Sequence, residues 1–126
     1  MIRDDYDAWS RLESVLDAVY REREAQQDKW GEQDHPNVDV VLLSRPGGCG
    51  VSRMAEHYEL PSASRAKFMC EDAFKKGEGT YAHILVEEVS EAIEAATLGQ
   101  GLRDELIQVA AVAVAWVEKL DREGDK

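Results

Sequence analysis

The sequence predicts an all-α protein, a four-helix-bundle-like fold with an irregular insert at about residues 30–61, and three observations point that way. Apolar residues recur at three- and four-residue intervals over most of the chain, the period of a helix that buries one face. The breaks between these stretches carry Gly, Pro and small hydroxyl caps, the usual helix stops and starts. The length of 126 residues suits a single domain with one core.

Taken in order, Tyr6, Trp9, Leu12, Leu16, Val19 and Tyr20 mark the inner face of a long first helix ending near Lys29. Gly31 and the pair His35-Pro36 break it, leaving a polar loop over residues 30–37. The apolar run 38–43 is either a strand or a packed loop, because six residues are too few to show a period. Residues 45–50, Arg-Pro-Gly-Gly-Cys-Gly, read as a turn. A short helix covers about 51–59 and stops before Pro61. Ser62 or Ser64 then caps a helix whose inner face is Ala66, Met69, Cys70, Ala73 and Phe74, ended by Gly77 and Gly79. Thr80 caps the next helix, which runs to Leu98 and stops at Gly99. The last helix covers 102 to about 121.

Composition excludes several function classes. With 15 basic against 26 acidic residues the net charge is -11, which disfavours a general duplex-DNA or anionic-membrane binder. The acids are concentrated at the two ends: residues 36–80 carry 6 of each sign and are electroneutral. Cys49 and Cys70 form no CxxC pair and no disulfide framework. No signal peptide follows the acidic start, and the longest apolar stretch, residues 106–117, is too short to span a bilayer. A soluble, cytoplasmic protein is expected.

The chemistry gathers on the last two helices. At about 100° per residue, Leu85, Val86, Val89, Ala92, Ile93 and Ala96 form an apolar arc, with Glu87 and Glu94 together on the far side. Glu88 and Glu91 flank Ile84 and Ala95, so two carboxylates are crowded against apolar neighbours. On the last helix eleven of the twelve residues 106–117 are apolar, which calls for cover on every side and points to a homodimer or homotetramer through the 102–121 helix. Glu105 and Gln108 are nearly its only polar interruptions. A partly buried carboxylate costs several kcal/mol unless it is paired or cation-bound. Glu87, Glu88 and Glu91 facing Glu105 therefore make a candidate cage of hard oxygen ligands suited to Mg²⁺ or Mn²⁺; a dense solvated face is the alternative.

Other motifs are weaker. Residues 47–53 lack the spacing of a P-loop or a dinucleotide turn, and Glu32 with His35 gives ExxH only once, beside Gly31 and Pro36. Cys70 falls on an apolar face and suits the core. His57 and His83 have no partner that would make them ligands, and Trp9 and Trp116 are most simply core.

Glu87-Glu88-Val89-Ser90-Glu91, followed after 13 residues by Glu105-Leu106-Ile107-Gln108, resembles the EExxE…ExxD signature of the MazG-like all-α NTP pyrophosphohydrolases. The segments 27–36, 80–85 and 109–116 look like those of a phage and actinobacterial branch of that family, while residues 38–62 match nothing in it. The resemblance implies a bacterial or phage-infected host cytosol and hydrolysis of a (deoxy)nucleoside triphosphate to monophosphate and pyrophosphate with Mg²⁺ or Mn²⁺. It makes Glu87, Glu88, Glu91 and Glu105 the expected ligands, with Glu87 or Glu88 catalytic and Glu87 orienting the water. Gln108 stands where the family has Asp, so the amide offers an uncharged oxygen; Asp104 points about 100° away from Glu105, and Asp28 or Asp34 are possible recruits. Among the middle-third bases, Lys67 is the first candidate for holding phosphates. Base recognition is expected at the loop, with Trp30 either stacking on a base or stapling the end of the first helix and Gln33, Asp34, His35 and Asn37 offering polar edges, and a purine deoxynucleotide such as dGTP or dATP is the expected substrate. A non-enzymatic acidic helical protein, either a DNA mimic or an oligomerisation bundle, is the alternative.

Overall fold

The computed structural model of the chain describes residues 2–44 and 49–124, with side chains from residue 7 onward. Six helices are present among them: α1 (Ile2–Trp30), α2 (Val40–Leu43), α3 (Val51–His57), α4 (Ala63–Lys75), α5 (Tyr81–Leu98) and α6 (Leu102–Arg122). No strand occurs among the described residues, so the all-α expectation holds. The insert is less irregular than its sequence implies. Within 38–43, expected as strand or loop, residues 40–43 are helical because the Asp39 carboxylate caps the turn, accepting the Val41 N–H at 2.9 Å. The expected turn at Arg45, Pro46, Gly47 and Gly48 lies outside the described residues.

The chain divides into two compact units. One comprises residues 1–35 and 113–126, the other residues 36–112. In the first, the residues expected on the inner face of α1 are mostly open: Leu12 is half-buried and Trp9, Leu16, Val19 and Tyr20 are exposed, while the buried residue is Val15, outside that reading. Trp9, expected in the core, is 64% exposed, while Trp116 is half-buried.

The second unit holds the core. Val38, Leu42, Met54 and Ala96 bury one another, with Cys49, Ile93 and Leu102 packed around them. The insert thus supplies three of those four buried residues, and α5 supplies the fourth. Both α3 and α4 pack on α5. On α4 the residues turned inward are Ala66, Cys70 and Ala73, small side chains that let two helix backbones approach closely. Met69 and Phe74, expected on the same face, are exposed. The Phe74 ring instead lies over Gly79, where an added Cβ would collide with it, so the α4–α5 turn and not the bundle interior receives that ring. Among the described residues no helix is long and apolar enough to cross a membrane.

Local signals fix the ends of the helices that carry the acids. Ser62 caps α4, its hydroxyl accepting the Arg65 N–H, and Thr80 caps α5 by accepting the His83 N–H. Gly99, at φ 75°, closes α5 in the left-handed conformation that glycine adopts without strain. After α3 the same region is occupied by a residue with a side chain: Glu59 sits at φ 58°. Replacing it relieves a Cβ clash of roughly 1–2 kcal/mol against a smaller unfolded-state entropy cost. Glu59→Gly is therefore expected to raise stability by about 0.5–1 kcal/mol, read as a higher urea midpoint at unchanged slope.

Candidate metal centre

The reversal between α5 and α6 is made by Gly99 and Gly101, both at positive φ. It brings the first turn of α6, with Asp104 and Glu105, back against α5. Glu88 and Glu91 stand nearly one turn apart on α5. One carboxylate oxygen from each of Glu88, Glu91 and Glu105 lies within 4.8 Å of the other two, and all three residues are half-buried. Glu88 Oε2 and Glu105 Oε2 are sealed from solvent and have no hydrogen-bond partner.

Three carboxyl groups so placed cannot all ionise at ordinary cost. Burial, followed by the charges of Glu88, Glu105 and Glu87 and a carboxyl–carboxyl hydrogen bond with Glu105, pushes Glu91 up to about 7. Burial and the charges of Glu105 and Glu87 push Glu88 upward as well. No lysine, arginine or histidine pairs with the trio among the described residues. Three hard carboxylates, of which Glu88 and Glu105 each carry one orphaned oxygen, form a donor set that can hold a metal ion.

The other expected site residues fall in several places. Glu87 is half-buried and outside the trio, acting on Glu88 and Glu91 through its charge. Gln108, expected as a ligand, is exposed, as is Asp104. Lys67 is exposed and shares the lining of one cavity with Glu91 and Glu105. Trp30, Gln33, Asp34 and His35 line a single open concavity together with Glu32, and the Lys29 ammonium sits 4.9 Å over the Trp30 ring. Asn37 is exposed and does not line that concavity. Cys70 is buried, and burial with the nearby charges of Glu87, Glu71 and Glu88 pushes its thiol up, away from the reactive thiolate.

One pair was missed in the sequence. His57 Nε2 lies 3.2 Å from Asp39 Oδ2, and the Asp39 N–H donates to the Tyr58 hydroxyl at 2.9 Å. The two contacts tie α2 to the end of α3. The one signal that pointed to it was an Asp set immediately before an apolar run, an N-cap position. Comparison of the chain with known protein families, with curated proteins and with solved structures finds no match.

Proposed function

We propose that the protein is a metal-dependent nucleoside triphosphate pyrophosphohydrolase that releases the monophosphate and pyrophosphate. The observation that carries this reading is the half-buried Glu88–Glu91–Glu105 trio, with two sealed and unpartnered oxygens. The signature-like spacing of these acids and the MazG-like segments around them support it. A Mg²⁺ or Mn²⁺ ion held there would neutralise the α-phosphate and lower the pKa of the attacking water. Glu88, Glu91 and Glu105 would hold the ion, which would supply the positive charge that binds the substrate's phosphates, while Glu87, next to the trio and outside it, would orient the water and accept its proton. In this reading the substrate is a purine deoxynucleotide. A second copy of the chain covers α6, which has no buried residue in the single chain and leaves Leu106 and Ile107 more than half exposed.

The direct test is chromatography of the products from a panel of NTPs and dNTPs with Mg²⁺ or Mn²⁺. Monophosphate plus pyrophosphate from a purine deoxynucleotide is the expected result; absence of turnover across the panel removes the proposal. The exposed apolar side of α6 also favours a second reading, a structural oligomerisation bundle, and that reading predicts no turnover and no response to metal. Gln108 supplies a finer check. Restoring a carboxylate with Gln108→Asp adds a charge one turn from Glu105, and the expected outcome is Mn²⁺ affinity equal to wild type or up to about tenfold tighter. Loss of activity in a correctly folded Gln108→Asp variant would show that the amide itself is required.

A further inference from the structure

We draw no further inference here: the strongest candidate, the small apolar cavity between α4 and the first turns of α5 lined by Ala66, Met69, Ala82, His83 and Val86, is an open apolar face, and nothing in the structure shows what covers it.

Discussion

Glu91→Gln is expected to abolish pyrophosphate release, by roughly a thousandfold or more, while the protein keeps its helical content and its sedimentation behaviour. Glu91 is the member of the trio whose proton is held most tightly, up to about 7, by burial and by Glu88, Glu105 and Glu87. That ranking marks it as the carboxylate most exposed to its neighbours' charges, and hence the one whose ionised form gains most from a bound cation. The amide keeps the shape and removes the charge. Losing a ligand that stabilises charge at the phosphorus by several kcal/mol corresponds to about three decades in rate. In the metal-free protein the effect has the opposite sign. At pH 7.5 the wild type holds crowded, partly desolvated negative charges that the variant lacks, so Glu91→Gln should melt higher without metal and should not respond to Mn²⁺. Wild-type turnover in the variant would remove Glu91 from the mechanism; a metal-free variant that melts lower than wild type would show that Glu91 serves as a structural acid.

How far the centre could be read from the residues depends on what helical periodicity encodes. It encodes which side chains share a face, so α5 was legible from Thr80 to Gly99, and Glu88 and Glu91 were recognisable as acids set among apolar neighbours. It does not encode from which side the next helix arrives. Glu87 and Glu88 lie on either side of the Glu91 direction, and the approach of Glu105 selects Glu88. The wheel sets Glu88 beside Ile84 and Glu87 with Glu94 on the far side, but only the arrival of Glu105 turns that difference into a site. The same gap explains α4, where Ala66, Cys70 and Ala73 meet α5 while Met69 and Phe74 face outward. Small residues set the line of closest approach, and large ones a quarter-turn away are pushed out of it. On α1 the period groups apolar residues on one stripe, but a stripe does not name its cover: in the single chain Trp9, Leu16, Val19 and Tyr20 are open, and the buried residue is Val15, outside that stripe's reading. The helix at 40–43 was illegible for a simpler reason. Four residues carry no period, and the decision rests on one capping carboxylate, that of Asp39.

The second large effect concerns pH and metal together, and its sign follows from proton counting. In the unfolded chain Glu91 titrates near its ordinary value of 4.5, and in the fold near 7. Between those values the native state holds more protons than the unfolded state, so stability falls as pH rises through that window. Below about pH 4.5 Glu91 contributes nothing to this balance, and above about 7 its whole penalty applies. Glu88, also shifted upward, adds in the same direction. Discounted for the partial exposure of these side chains, the penalty is about 2 kcal/mol at pH 7.5, or roughly 5–10 °C in Tm for a chain of this size. Other carboxylates on the protein titrate as well, so the quantity to measure is the difference between wild type and Glu91→Gln at each pH, which isolates this centre. That difference should be close to zero at pH 4.5 and grow against the wild type up to about pH 7.5. Saturating Mn²⁺ should reverse it at pH 7.5, where the carboxylates are free to bind, by about 2.7 kcal/mol at a hundredfold excess over Kd. At pH 5 the metal must displace protons and its effect should be small. A difference that stays flat across the range, with no Mn²⁺ response at either pH, would mean that the three carboxylates are solvated independently, and an ion would then have nothing to relieve.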